Sequence, residues 1–211
     1  MISEASARSL AVLRDTSHVS WMVIPMLLVV LYVYFMELDR GNTGRVLAGL
    51  AFWGMDWFNE IWNGLVFHFS GHAPVWGIAG DTSLLLLMGL NIEITFMFAI
   101  TGIMATMGLP KDKKLKWLGV NNRWWFAAVF SALSVCVEMM LNAAGMLVWD
   151  WSWWGRSAPW GIFFLGYLPF YVVCYWVYDM DSLRKQVVTV GSLFAGLGTA
   201  LLVFGVGLGW L

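Results

Sequence analysis

Residues 45 to 68, RVLAGLAFWGMDWFNEIWNGLVFH, form a run long and apolar enough to cross a bilayer, yet Asp56, Asn59, Glu60 and Asn63 sit near its middle. An acid at the bilayer centre costs roughly 2.5–3.5 kcal/mol to insert, so such a group is expected to face protein or water and to serve a function. Asp56 and Glu60 are four apart, as are Asn59 and Asn63, which puts the polar groups on neighbouring faces of one helix. Trp53, Trp57 and Trp62 are interleaved with them, so carboxylates lie beside indoles. The plainer alternative is that these groups only hydrogen-bond one span to another.

The rest of the chain follows the same pattern. Of its 211 residues 60% are hydrophobic and 12% charged, with a mean hydropathy of +0.73, whereas a soluble domain carries about 25% charge. The sequence therefore predicts an all-α, polytopic transmembrane helical bundle of one domain, with spans at about 20–36, 45–68, 83–107, 124–149, 159–178 and 187–211. No internal repeat is evident and no removable signal peptide is expected. Residues 1–19 suit a short interfacial helix or a loose tail. Cys136 and Cys174 lie in apolar spans without a CxxC pattern and read as small core residues. A net charge of −1 gives no reason to expect a nucleic-acid partner.

Lysine and arginine orient the bundle. Connectors one, three and five carry Arg40, Arg45, Lys111, Lys113, Lys114, Lys116, Arg123, Arg184 and Lys185, against Arg8, Arg14 and Arg156 on the other side. The positive-inside rule places those three connectors in the cytoplasm and both termini opposite. The Trp-dense stretch 149–154 reads as an interfacial belt, and Gly191, Ala195, Gly198, Gly205 and Gly209 in the last span would let a neighbouring helix of an oligomer or larger complex approach closely.

In that topology Glu60, Glu93 and Glu138 reach one level, each roughly 12 to 17 Å from the outer end of its span at helical rise. Asn63, Asn91 and Asn142 occupy the same zone as candidate substrate-binding groups, with Trp53, Trp57 and Trp62, and Asp56 lies one turn deeper. Between Arg45 and Lys111, and between Arg123 and Arg156, the chain has no Lys or Arg, so these acids lack a basic partner within their spans. They are expected to stay protonated, to be neutralised by a bound cation, or to face a water-filled cavity. Asp56, Glu60, Glu93 and Glu138 are thus the candidate catalytic residues. A divalent metal is one cofactor such a set could take, with His68 and His72 as further ligands, although an interfacial His pair also suits hydrogen bonding within a loop. The other chemistry open to it is proton transfer from a buried acid to an alkene, with aromatic faces stabilising the cation by about 2 kcal/mol.

The stretches Asp56-Trp57-Phe58-Asn59-Glu60-Ile61-Trp62 and Asn91-Ile92-Glu93-Ile94-Thr95, in a small aromatic-rich membrane chain, resemble the integral-membrane terpene cyclases and, less closely, the emopamil-binding sterol isomerases. The isomerases use a His and Glu pair where this chain has Asp56 and Glu60. The resemblance implies acid chemistry on a lipid or isoprenoid-like apolar substrate within the membrane. Unpaired acids equally suit a proton- or cation-coupled carrier or channel, and the glycine-rich last span suits an accessory subunit of a larger complex.

Overall fold

The computed structural model describes residues 1–79 and 81–211. Among them are a short α1 (Glu4–Val12) and six long helices: α2 (Val23–Asp39), α3 (Thr43–Ser70), α4 (Ile92–Met107), α5 (Asn122–Ala143), α6 (Pro159–Tyr178) and α7 (Leu183–Gly207). By length and composition α5, α6 and α7 can each cross a membrane, while α4 is a shorter apolar helix. The acid-bearing α3 is the axis of the bundle, packing on α2, α4, α6 and α7. Its buried positions, among them Val46, Gly49, Phe52, Asp56, Glu60 and Asn63, recur at helical spacing, so one face carries both the packing and the polar groups. At the α3/α4 crossing Gly49 and Gly102 let the backbones approach, and a Cβ on Gly102 would lie 2.9 Å from the Gly49 Cα.

Two small hairpins join the helices, the first inside the expected span 83–107 and the second in the connector that follows it. β1 (Leu85–Leu87) pairs with β2 (Leu90–Asn91), and β3 (Lys116–Trp117) with β4 (Val120–Asn121), both antiparallel. Each hairpin turns through two residues ending in glycine, Met88-Gly89 and Leu118-Gly119. Each is followed by an asparagine whose side chain caps the next helix, Asn91 accepting from Ile94 N and Asn121 from Arg123 N, both at 2.8 Å. The first helical N–H then reaches back over the hairpin, from Ile92 to Leu84 O and from Asn122 to Leu115 O, at 3.0 Å in each case. The same hairpin, cap and helix module is thus used twice, a short structural repeat that the sequence reading did not register. In the second copy Leu118 and Gly119 both take positive φ, 50° and 81°, as a primed two-residue turn requires.

This module corrects the third span. Residues 85–91 are not helical: within the apolar run, Leu85–Leu87 form a strand with Leu85 and Leu87 buried, and α4 starts only at Ile92. A short apolar run reads alike for a buried strand and a helix segment. Asn91 and Glu93 therefore lie at a helix start rather than mid-span. The fourth span is also shorter than expected: α5 ends at Ala143, and residues 144–158 form an irregular cap. That cap docks on the 71–91 loop through Gly77 N to Val148 O at 3.0 Å and Val148 N to Gly77 O at 2.8 Å. The N-terminal segment is tied to the same end, by Ser3 N to His72 O and Arg14 N to Leu85 O, and Arg14 also reaches Leu211 O. The remaining connectors meet at the opposite end, where Arg123 grips Asp179 at 2.8 and 2.9 Å, Lys113 meets Asp181, and Gly44 lies against Gln186.

Within the chain the glycines used for close approach lie on α3, where Leu193 of α7 fills the space over Gly54 and Leu211, beyond the end of α7, that over Gly64. On α7 itself Gly191, Gly196 and Gly198 face open space. Cys174 is buried as a small core residue, but Cys136 is exposed on the outer face of α5, and both are free thiols.

Candidate functional site

The buried interior splits into two aromatic clusters. Phe52, Phe98, Phe170, Tyr171 and Tyr175 fill the half nearer the basic connectors, while Val75, Trp76, Leu147, Trp154 and Ile162 fill the half beneath the loops. Between them lies a recess with about 530 Å³ of empty space counted out to its open side, of which about 50 Å³ admits the centre of a water molecule. Asp56 and Glu60 reach it from α3 and Glu138 from α5, and each of these side chains is almost wholly buried.

Local folding explains how each acid is held. Asn63, one turn beyond Glu60, accepts from Val75 N at 2.7 Å and donates to Trp76 O at 2.8 Å, pinning the returning loop against α3. That fixes Trp76, whose indole N–H donates to Glu60 Oε1 at 2.7 Å. The loop backbone fits here only as glycine, since any side chain on Gly89 would collide with the Trp76 indole and the Asn63 amide. Across the recess Trp149 Nε1 donates to Glu138 Oε1 at 3.0 Å, and the Tyr167 hydroxyl faces the same carboxyl. Tyr167 ends a π-helical stretch, Ile162–Tyr167, whose Leu165 and Gly166 carbonyls accept from the Asn59 amide at 3.2 and 3.3 Å. π-Helical segments often mark functional sites, because the wider turn frees backbone groups and redirects side chains.

Glu60 Oε2 and Asp56 Oδ2 are buried and have no hydrogen-bond partner among the described residues. None of the ion pairs among those residues includes Asp56, Glu60 or Glu138. Three buried carboxyl groups thus line one recess without a cationic partner, an arrangement that is costly for charged groups.

The recess is closed above by the two loops and below by the aromatic core. To one side, α4 packs on α2, α3 and α6 while α5 packs on α6, and the two barely touch each other. Met97, 45% exposed on the outside of α4, lines this gap. The open side of the recess therefore lies on this flank, past Met97.

Of the residues singled out in the sequence, Asp56, Glu60 and Glu138 come together. Glu93 does not: its carboxylate accepts from Thr82 Oγ1 and Ser83 N, both at 2.8 Å, and lines a separate cleft with Asp15, His18 and Asp81. The common depth expected for it depended on a helical 83–91. Asn91 caps α4, Asn63 holds the loop, and Asn142 bonds Leu147 O and Arg156, so all three have structural partners and none of them lines the recess. Trp62 backs the wall by packing on Trp76 and Trp154; Trp53 packs on Phe194, and neither it nor Trp57 lines the recess. His68 stacks on Trp210 and His72 bonds Met1 O at 3.0 Å. Among the described residues no group of three or more His, Cys, Asp and Glu side chains could hold a metal ion. Trp149, Trp154 and Tyr167 were missed: the two Trp sit in a stretch with the composition of an interfacial belt, and no periodicity marks an irregular cap as facing inward.

A helical membrane bundle built round buried carboxyl groups is the class that fold and site define. The chain belongs to an uncharacterized membrane protein family, whose sequence model matches residues 3–206. An uncharacterized protein of Archaeoglobus fulgidus is 53% identical over 204 residues, covering 97% of both chains. A second uncharacterized protein of that organism is 48% identical over 50 residues, 24% of this chain and 89% of its own length. No solved structure matches the chain.

Proposed function

We propose that this protein is an intramembrane enzyme that acts on a lipid or isoprenoid-like alkene by proton transfer, isomerising or cyclising it. The observation that carries the reading is a recess of unpaired carboxyl groups, aromatic-walled and open on its flank, where an apolar molecule would enter from the bilayer. Glu60 is the acid. Trp76 occupies Oε1 as a hydrogen-bond donor, so the proton resides on the unpartnered Oε2. Transfer to an alkene carbon leaves a carbocation, which the faces of Trp76, Trp154 and Phe98 stabilise by about 2 kcal/mol. Loss of a proton from a neighbouring carbon to the Glu138 carboxylate regenerates an alkene, and return of that proton from Glu138 to Glu60 resets the site. The reading needs no metal.

The six long helices all span the membrane in this reading, with the basic connectors in the cytoplasm and both termini outside.

The test is deuterium transfer. The protein in lipid nanodiscs is incubated in D2O with isoprenoid alkenes, and product masses are followed. Wild type should place solvent deuterium on carbon, and Glu60→Gln, which keeps shape but has no proton to give, should do so at least about 100-fold more slowly while remaining folded. Equal incorporation by the Gln variant would make Glu60 structural. No incorporation with any isoprenoid would remove the enzyme reading and leave proton- or cation-coupled transport.

A further inference from the structure

The two copies of the hairpin module differ in what surrounds them. In the first, Leu85, Leu87, Met88 and Leu90 are buried against the bundle, and the chain has no Lys or Arg between Arg45 and Lys111. In the second, every residue from Lys111 to Val120 is exposed. Its apolar positions, Leu115, Trp117, Leu118 and Val120, are interleaved with Lys114 and Lys116, and none of them belongs to either core cluster.

The exposed hairpin is nevertheless firmly held. The Asn122 amide donates to Leu115 O at 2.7 Å and to Asp112 O at 3.1 Å, and the Asn121 amide to Lys113 O at 2.8 Å, which clamps its base. It lies back along the first turns of α5: the Trp125 indole N–H donates to Trp117 O at 2.9 Å, and the Trp117 ring centre lies 5.7 Å from that of Phe126. Phe126 is four residues into the helix, about 6 Å at helical rise, so Trp117, Trp124 and Trp125 gather at the depth of an interfacial indole belt. At the tip Leu118 is 92% exposed in a left-handed backbone, φ 50°, which glycine or asparagine adopts at lower cost. The fold of the chain thus gains nothing from a leucine there. Of the lysines, Lys113 is held by Asp181 and the Asp179 carbonyl, and Asp112 accepts from Lys114 N. Lys111, Lys114 and Lys116 make no ion pair among the described residues.

We propose that this hairpin is a membrane anchor: Trp117, Leu118 and Val120 sink into the adjoining leaflet, and Lys111, Lys114 and Lys116 hold anionic lipid headgroups above them. Apolar side chains beside unpaired lysines suit an anionic lipid surface, where the lysine stems follow the acyl boundary and the ammonium groups meet phosphate. The proposal rests on the reading of α5 as a membrane span and is independent of the chemistry in the recess.

The experiment measures lipid contact. Val120→Cys carries a fluorophore in a protein whose exposed thiol is removed by Cys136→Ser, while the buried Cys174 stays. Nanodiscs of phosphatidylcholine, with or without phosphatidylglycerol, contain a lipid spin-labelled near its headgroup, which quenches on contact. A fluorophore at Val188→Cys, 58% exposed and five residues into α7, is the lipid-facing reference. With phosphatidylglycerol the hairpin should be quenched to within about twofold of the reference. Quenching should fall at least about threefold after Leu118→Asn, which suits the left-handed tip, after Lys114→Gln with Lys116→Gln, and in phosphatidylcholine alone. An unquenched hairpin beside a quenched reference overturns the anchor and leaves a protein partner for the exposed face. Equal quenching in both lipids and in the lysine variant overturns the anionic partner. An unquenched reference overturns the span, and the anchor with it.

Discussion

At the scale of single residues, the buried acids divide by whether a cation reaches them. Glu37, at the lower end of α2, is fully buried yet accepts from Arg40 at 3.2 Å, Asn42 at 2.8 Å and Arg45 at 2.7 Å. Burial alone would push its carboxyl up, but the bonds from Arg45, Asn42 and Arg40 outweigh that and hold it below the usual glutamate range. A lowered folded value means that the stabilisation is complete above the unfolded value, about 4.3, and is lost as pH falls through the folded one. Wild type should thus lose melting temperature between about pH 5 and pH 3, by a route Glu37→Gln lacks. The variant should melt lower at pH 7 and change less over that interval; equal melting at pH 7 would remove Glu37 from the stability of the bundle. Glu60 and Asp56 have no such cations, which is why the same chemical group reads as structural in one place and reactive in the other.

Among elements, the α3/α4 crossing has the least tolerance. Gly102 meets Phe52 and the Gly49 backbone, and neither backbone nor a ring base can swing aside. Gly102→Val should force the helices apart at about 1–3 kcal/mol, roughly 2–10 °C in melting temperature for a chain of this size. Because Phe98 and Met97 ride on α4, the recess should change with it. Gly196→Ala, where a Cβ meets open space on α7, should melt within a degree or so of wild type. Thermal unfolding of the purified variants compares them directly, and equal melting of Gly102→Val and Gly196→Ala would refute the close crossing. The hairpin module operates at this scale too. Gly89 and Asn91 turn an apolar run back on itself and start α4 late, so that Trp76 and Gly89 close the recess from above instead of a helix filling it.

For the molecule as a whole, the two ends differ in chemistry. One end gathers both termini, the irregular loops and the indoles; the other gathers Arg40, Arg45, Lys113 and Arg123 with their acidic partners. With Cys136 and Cys174 replaced, single cysteines at Asn42, Lys113 and Ser182 should react with an impermeant thiol reagent only from the cytoplasmic side, and those at Ser70 and Ser157 only from the other. Labelling of any pair from both sides would sink the six-span topology. The flank opening between α4 and α5 belongs to this scale as well, since no single helix records that two of its neighbours fail to meet.

Helix identity was legible in the sequence because it is a local property: long apolar runs bounded by charge and glycine have one stable form where backbone groups must satisfy each other. The stretch 45–68 is a helix, and its spacing alone puts Asp56 and Glu60 one turn apart. Which acids share a recess was not legible, because that depends on where a loop returns. Residues 83–91 lack a periodicity that separates a buried strand from a helix, so Glu93 was placed a full level from where it sits. The inward turn of Trp149 and Trp154, the flank opening past Met97 and the meeting of Tyr167 with Glu138 arise from contacts between residues distant in sequence, and only the packed bundle decides them.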